Sequence, residues 1–211
     1  LFKDTSSLEL GRIVTRELLD KTELDPDLVD EVIFGNVSQP PEAANIARVI
    51  SIMSGISVRK AAYTVHRNCA SGIESVTSAY EKLMCNYAEV IISGGTESMS
   101  NIPLLYPKEF AEFLSGLNRA KKGIGRVKAM SGFRLSFFKP IIGVMLGLTD
   151  PTCGLNMGQT AEVLAREFGI SRRAQDEFAL LSHKRAIASR DKLKEEIVPV
   201  LPPPKYDILV D

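Results

Sequence analysis

Residues 1–100 alternate between segments of helical periodicity and short apolar runs rich in β-branched residues. Leu10, Val14 and Leu18 recur every four residues, which is one face of an α-helix. The strand-like runs are residues 31–35, 62–66 and 88–93. Because each pair of runs is separated by enough residues for a helix, the strands should pair in parallel. The sequence predicts an α/β fold, with a mainly parallel sheet covered by helices.

Several polar residues and glycines predict where the helices begin and end. Ser6 with Glu9 three residues later is a capping-box pattern at the start of the first helix. Asp25-Pro26 predicts a second helix start, with proline at the first helical position. A further helix is predicted over residues 42–54, with Gly55 as its stop.

The composition changes after residue 100. No acidic residue occurs from Phe113 to Thr149, whereas seven Lys and Arg residues lie between Arg119 and Lys139, and residues 137–146 form an apolar run. Patterned helices return at residues 157–168 and 171–190, and Ser171 is a good N-cap for the second of them. We therefore predict two domains. These are an α/β core of residues 1–100 and a mostly helical insertion of residues 101–211.

The overall composition excludes several classes of protein. Lys plus Arg and Asp plus Glu number 26 each, and this balance argues against a general nucleic-acid binder. Three cysteines without short spacing predict neither a disulfide framework nor a metal site, and they favour a reducing, intracellular compartment. The basic stretch could bind anionic phosphates, lie on an anionic membrane surface, or form a solvated face.

Cys69 has the setting most suggestive of chemistry. It lies between the predicted strand 62–66 and the next helix, so its thiol would feel the positive end of the helix dipole. Free N–H groups of the first turn can bind an oxyanion, and residues 70–72 are small enough for a thioester to approach. Cys69 is a candidate nucleophile. The alternative is a structural, small buried hydrophobe, and a structural role is the interpretation favoured for Cys85 and Cys153.

Neither histidine is an obvious base for Cys69. His66 lies in the strand, where alternation could direct its side chain to the other face of the sheet. His183 lies in a helix rich in polar residues, which is typical of a solvated face. Gly94-Gly95 would allow a ligand close to the carboxyl end of a strand, or could simply end the strand. No Gly-Lys-Ser/Thr follows, so this is not a P-loop.

Several short blocks along the chain resemble motifs of the thiolase family. They are Gly35-Asn36-Val37, Asn45–Arg48, Asn68–Gly72, Gly94–Ser100, Met157–Glu162, Ile170–Arg172, Gln175-Asp176 and Ser182-His183. Each is short, but their order and spacing across nearly the whole chain are specific to thiolases. Residues 114–157 look most like the β-subunit of fatty-acid β-oxidation complexes. Biosynthetic acetyl-CoA acetyltransferases are the next most similar group.

The resemblance implies an acyltransferase that converts 3-ketoacyl-CoA plus CoA into acyl-CoA plus acetyl-CoA. Cys69 would carry the acyl group and Met157 would line the pantetheine channel of a thiolase-like loop domain. No metal or prosthetic group is implied, because CoA is a substrate. The implied partners are CoA thioesters, a homodimer or tetramer, and a β-oxidation α-subunit, with membrane contact through residues 119–146. The implied compartment is the cytoplasm, or the mitochondrion in a eukaryote.

The chain also departs from the thiolase pattern. Thiolases have two similar halves, and the second supplies a histidine and another cysteine that this sequence lacks. The first and last strands of the first half are missing too, so we expect a fragment with little turnover of its own. Asn156 stands where some relatives have a histidine. The competing interpretations are a ketoacyl synthase, a non-catalytic lipid or sterol carrier of thiolase-like fold, and an interaction module.

Overall fold

The chain forms two compact units in a computed structural model. The described residues are 2–120, 129–143 and 147–202. One unit comprises Leu1–Ile102 with Arg185–Asp211, and the other comprises Pro103–Lys184. The first unit thus includes residues that the sequence analysis assigned to the second domain. The predicted domain boundaries stay a prediction.

A three-stranded parallel sheet forms the centre of the first unit. Its strands are β1 (Glu31–Gly35), β2 (Ala61–Val65) and β3 (Ile91–Gly95), in the spatial order β2-β1-β3. Glu31 lies opposite Ala61 on one side and Ile91 on the other, so the three carboxyl ends meet at one edge. The central strand is almost entirely buried, as parallel sheets require. This arrangement confirms the predicted α/β class and parallel sheet.

Two helices, α2 (Ile46–Met53) and α3 (Ser71–Met84), cover this sheet, and a third, α1 (Ser7–Thr22), packs against α2. The core between helices and sheet includes Val32, Phe34, Ile46, Ile50 and Ile92. The predicted cap of α1 is confirmed, because the Ser6 side chain accepts the Glu9 N–H at 3.2 Å. The Glu9 carboxylate turns instead to Arg12, at 2.6 Å.

One predicted helix start is confirmed, although its helix is short, and another lies at the wrong residue. Asp25-Pro26 begins only a three-residue 3-10 helix, Pro26–Leu28, because the fully buried Val29 already leads the chain into β1. Helix α2 begins at Ile46 rather than at residue 42. Asn45 caps it there by accepting the Arg48 N–H at 3.3 Å.

Strand β3 begins later than the predicted run of residues 88–93. It starts at Ile91, because the N–H groups of Glu89 and Val90 donate to the Asp30 carboxylate at 2.8 and 3.1 Å. The Asp30 N–H donates in turn to the Val90 carbonyl at 2.9 Å, so the carboxylate bonds add to a backbone bond just before the two strands begin. The bonds from Glu89 and Val90 also lower the pKa of Asp30 below its ordinary value, with a smaller contribution from the Lys60 charge.

The second unit contains short strands, helices and an aromatic cluster. Its elements are β4 (Leu104–Leu105), α4 (Lys108–Arg119), β5 (Ile141–Ile142), α5 (Met157–Glu167) and most of α6 (Arg172–Ala188). Strands β4 and β5 pair antiparallel. A short α7 (Arg190–Leu193) follows in the first unit. The helices predicted over 157–168 and 171–190 are confirmed.

Residues 119–146, predicted to contact a membrane, are described only in part. Residues 121–128 and 144–146 lie outside the described residues. Phe137 is buried, and its ring centroid lies 5.5 Å from that of Phe110 and 5.5 Å from that of Phe113. Neighbouring Phe138 is 61% exposed. Over the described ranges, no helix combines the length and apolar character needed to cross a bilayer.

Candidate active site

Cys69 lies in the turn that connects β2 to α3. Asn68 has a left-handed backbone with φ of 47°, which turns the chain sharply before the cysteine. Buried Ser71 fixes this turn, because its Oγ accepts the Arg67 N–H at 2.8 Å and donates to the Asn68 carbonyl at 2.7 Å. The strand-to-helix turn predicted around Cys69 is therefore present, and it is held by local hydrogen bonds.

The thiol of Cys69 and the backbone around it are accessible. Cys69 is exposed rather than buried in this chain. Its backbone N–H and that of Gly72 donate to no acceptor among the described residues. A Cβ atom placed on Gly72 would meet no other atom within 4 Å, so the start of α3 faces open space. Unpaired N–H groups at a helix start can bind an oxyanion.

The ends of β1 and β3 form the floor beneath the first turn of α3. Glycines allow the close approach, because a Cβ atom on Gly95 would lie 3.4 Å from the Gly72 Cα. The hydroxyl of fully buried Ser75 donates to the Gly94 carbonyl at 2.7 Å. Gly94-Gly95 therefore serves at least as the support for the helix that follows Cys69.

Glu97 is a site residue that the sequence analysis did not single out. Its carboxylate accepts the backbone N–H of Val37 at 2.8 Å and that of Ser38 at 3.2 Å. It also accepts the side-chain amide of Asn36 at 3.3 Å. Asn36 is buried, and its Nδ2 donates to the Thr96 carbonyl at 2.8 Å. The blocks Gly35-Asn36-Val37 and Gly94–Ser100 thus meet across the sheet edge.

The Asn45–Arg48 block fastens α2 to β2. The Asn45 amide donates to the Ala62 carbonyl at 3.0 Å, and its oxygen accepts the Thr64 hydroxyl at 3.0 Å. The Arg48 guanidinium donates to the carbonyls of Lys60 and Val58, both at 2.6 Å. This block is structural, and it fixes the strand that leads into the Cys69 turn.

The two histidines lie in different units. His66 is exposed in the first unit, and its Nδ1 accepts the Asn68 N–H at 3.5 Å. Within the described residues, His66 forms no hydrogen bond with the Cys69 sulfur. His183 is exposed on α6 in the second unit. Cys85, at the end of α3, and Cys153 are also free and exposed. Exposure therefore does not distinguish Cys69 from the other two cysteines, whereas its position before the first turn of α3 does.

Met157 and Asn156 lie in the second unit. Met157 is the first residue of α5 and is 53% exposed. Asn156 caps the same helix in a reciprocal capping box with Gln159, in which both hydrogen bonds measure 2.9 Å. Nowhere in the described ranges do three or more His, Cys, Asp or Glu residues come together in a way that could hold a metal ion.

Comparison with known proteins gives consistent matches. A family model described as "Thiolase, N-terminal domain" matches residues 1–208. The 3-ketoacyl-CoA thiolase of Pectobacterium carotovorum subsp. carotovorum (strain PC1) is 40% identical over 200 residues, which is 94% of this chain and 45% of that protein. The 3-ketoacyl-CoA thiolase of Escherichia coli O1:K1 / APEC is 37% identical over 212 residues, covering 100% of this chain and 48% of that protein.

A solved structure matches over the same extent. The crystal structure of the Bacillus anthracis acetyl-CoA acetyltransferase is similar with a TM-score of 0.78 and 29% sequence identity. The match covers 99% of this chain and 48% of that one. The chain thus spans about half the length of the relatives it matches.

Proposed function

Because the chain belongs to the thiolase family, we propose that it carries the nucleophilic cysteine of a 3-ketoacyl-CoA thiolase. Cys69 is the proposed nucleophile, and the substrates are a 3-ketoacyl-CoA and CoA. The observation that carries the proposal is the exposed Cys69 thiol at the start of α3, beside backbone N–H groups that have no acceptor among the described residues. The Pectobacterium carotovorum and Escherichia coli relatives are both named 3-ketoacyl-CoA thiolase, and these names support the proposed acyl transfer.

The proposed reaction has two transfers. In the first, the Cys69 thiolate attacks the keto carbon of the 3-ketoacyl-CoA, and a carbon–sulfur bond forms. The bond between the second and third acyl carbons then breaks, which leaves an acyl-cysteine and the carbanion of acetyl-CoA, and the carbanion takes up a proton. In the second, the CoA thiolate attacks the acyl-cysteine. This gives acyl-CoA and regenerates the Cys69 thiolate.

The local geometry suits the charge that develops in the first transfer. The keto oxygen becomes an oxyanion next to the sulfur, and the N–H of Cys69 itself is the nearest candidate donor in sequence. The dipole of α3 favours negative charge at the same place. Loss of a single oxyanion donor typically costs about 100- to 1,000-fold in rate, so this group would carry much of the catalysis.

The described residues supply no acid or base bonded to the sulfur. We propose that the 211 residues alone accept an acyl group on Cys69 but turn over slowly. The full reaction would need a proton donor for the leaving carbanion and a base for CoA. Rapid thiolysis of acetoacetyl-CoA by the purified chain would contradict this part of the proposal.

Four further proposals rest on the family resemblance. They are the role of Met157 in the pantetheine channel, membrane contact through residues 119–146, assembly as a homodimer or tetramer, and binding to a β-oxidation α-subunit. The exposed Met157 is compatible with a place in a ligand channel. A Met157→Gln variant should weaken acetyl-CoA binding without changing the maximal acylation rate. Analytical ultracentrifugation would test the oligomeric state directly.

Intact-mass analysis after incubation with acetyl-CoA tests the central proposal. Acetyl transfer forms a sulfur–carbon bond at Cys69 and releases CoA as its thiol. One acetyl adduct is expected, and Cys69→Ala should abolish it. The matched controls are Cys85→Ala and Cys153→Ala, which remove the other two exposed cysteines and should leave the adduct intact. An adduct that survives Cys69→Ala, or that spreads over all three cysteines, would overturn the assignment.

The same experiment addresses the alternatives. A biosynthetic acetyl-CoA acetyltransferase would also form the adduct, and the similarity to the Bacillus anthracis structure keeps this candidate open. Chain-length dependence of acylation separates the two enzymes, since a biosynthetic enzyme should strongly prefer acetyl-CoA over longer acyl-CoA thioesters. A non-catalytic lipid carrier or interaction module would form no adduct.

A further inference from the structure

The carboxylate of Glu97 joins two loops that leave the sheet at the same edge as the Cys69 turn. Glu97 follows β3, whereas its backbone partners Val37 and Ser38 follow β1, about 60 positions earlier in the chain. The bond to the Asn36 amide adds a third donor. Ionised carboxylates make stronger hydrogen bonds than neutral acceptors, so this set is a firm link between the two strand ends.

These two strand ends also support α3. Gly35, at the end of β1, contacts the backbone at Ser71 and Gly72, and Gly95, at the end of β3, lies beneath Gly72. The N–H of Thr96 donates to the Gly35 carbonyl at 3.1 Å, which continues the link one residue beyond the strands. The ladder pairs Gly35 with Gly95, and the Glu97 carboxylate extends this pairing into the two loops that follow the strands. Together these contacts set where the first turn of α3 lies.

We propose that Glu97 is a positioning residue for acyl transfer to Cys69, an inference that rests on the proposed function. Glu97 acts through the backbone rather than on the substrate. An N–H donor stabilises an oxyanion only within about 2.7–3.1 Å of it, and a shift of about 1 Å can cost about 100-fold in rate. The link between the strand ends keeps the Cys69 turn and the first turn of α3 in register.

A Glu97→Gln substitution breaks this link with little change in size. Glutamine has one acceptor oxygen, and its NH₂ group would face N–H donors at Asn36, Val37 or Ser38. Glu97→Asp keeps the carboxylate but shortens its reach by one methylene group. Glu81→Gln is the matched control, because Glu81 is exposed on α3 and its side chain bonds to none of the described residues.

The experiment compares two reactions of the same thiol in a Cys85→Ala, Cys153→Ala background, where Cys69 is the remaining cysteine. Acetylation by acetyl-CoA forms an oxyanion, whereas alkylation by iodoacetamide does not. In Glu97→Gln the maximal acetylation rate should fall about 10- to 100-fold. The half-saturating acetyl-CoA concentration and the alkylation rate should stay within about twofold. Glu97→Asp should recover part of the rate, and Glu81→Gln should match the parent.

Each other outcome has a defined meaning. An unchanged acetylation rate in Glu97→Gln would overturn the inference and leave the proposed function standing. An equal fall in acetylation and alkylation would also overturn it, because that pattern indicates general damage to the fold. Absence of an adduct on the parent protein would overturn the proposed function together with the inference. If circular dichroism shows that Glu97→Gln is unfolded, Glu97→Asp decides, with full acetylation counting against the inference.

Discussion

Gly35 and Ser71 lie in such close contact that no side chain fits between the end of β1 and the start of α3. A Cβ atom on Gly35 would overlap the Ser71 carbonyl and lie 2.8 Å from the Gly72 nitrogen. Both neighbours are backbone atoms, so neither can rotate away. Residue 35 is thus restricted to glycine by packing, although its backbone is ordinary strand.

Gly35→Ala should therefore damage both stability and acylation. Relief of the overlap requires β1 and α3 to separate, and overpacking of this kind typically costs about 1–3 kcal/mol. The separation would also displace the Cys69 turn, so the acetyl adduct should form much more slowly. Urea unfolding and intact-mass kinetics measure the two effects.

Gly72→Ala should not be destabilising, although Gly72 lies on the α3 side of the contact with Gly35. Its Cβ atom would meet nothing within 4 Å, and alanine is the better helix former by about 1 kcal/mol. This variant should be as stable as the parent or more so. If Gly35→Ala and Gly72→Ala were equally destabilising, the close contact with α3 would not be the reason that residue 35 must be glycine.

Arg48 should stabilise the first unit through its two backbone acceptors. Its guanidinium spans the carbonyls of Lys60 and Val58, which lie just before β2. Arg48→Ala removes both charged hydrogen bonds and should lower the free energy of unfolding by about 1–2 kcal/mol. Arg48→Lys should recover less than half of this, because an ammonium cannot reproduce the two-pronged geometry. If Arg48→Lys restored the full free energy of unfolding, simultaneous binding of both carbonyls by the guanidinium would not be the source of the stabilisation.

Local signals predicted the fold well because they depend on neighbouring residues. The β-branched runs gave the strands, and Ser6 gave the start of α1, since a cap needs only the next three residues. The thiolase family and the α/β class are both confirmed. The start of β3 was missed because it depends on the Asp30 carboxylate, which lies 59 and 60 positions away from its partners.

The candidate site was predictable only in part for the same reason. A cysteine between a strand and a helix is visible in sequence, so the place of Cys69 was found. Glu97 was missed, because its contacts with residues 36–38 form only when the strand order β2-β1-β3 brings the ends of β1 and β3 together. The acyl-carrier role of Cys69 stays a prediction until an adduct is measured.

The aromatic cluster of the second unit should depend on Phe137. Phe137 is 6% exposed and lies among Phe110, Phe113 and Phe133, with centroid distances of 5.5, 5.5 and 6.0 Å. Phe137→Ala would leave a cavity and should cost about 3 kcal/mol. Phe138→Ala is the matched control, because that ring is mostly exposed and its loss should cost under about 1 kcal/mol. Equal effects would show that Phe137 is not the centre of the cluster.

Asp30 should make the stability of the first unit depend on pH. Hydrogen bonds from the Glu89 and Val90 N–H groups, with the Lys60 charge, lower the pKa of Asp30 in the folded state. The unfolded chain therefore binds this proton more readily than the folded one as the pH falls. The stabilisation is present above the ordinary aspartate pKa of about 4 and is lost as the pH falls through the lower, folded-state pKa.

Asp30→Asn isolates this contribution. Both N–H groups donate to one oxygen of Asp30, so the asparagine oxygen can still accept them, but it carries no charge. The variant should therefore be less stable than the parent at about pH 6 and closer to it at about pH 3. Urea unfolding at both pH values gives the two differences. Asp27→Asn removes the same charge from an exposed side chain that bonds to none of the described residues, so its effect should be small at both pH values. A stability difference for Asp30→Asn that did not narrow in acid would mean that the Asp30 carboxylate does not stabilise the start of β3 through its charge.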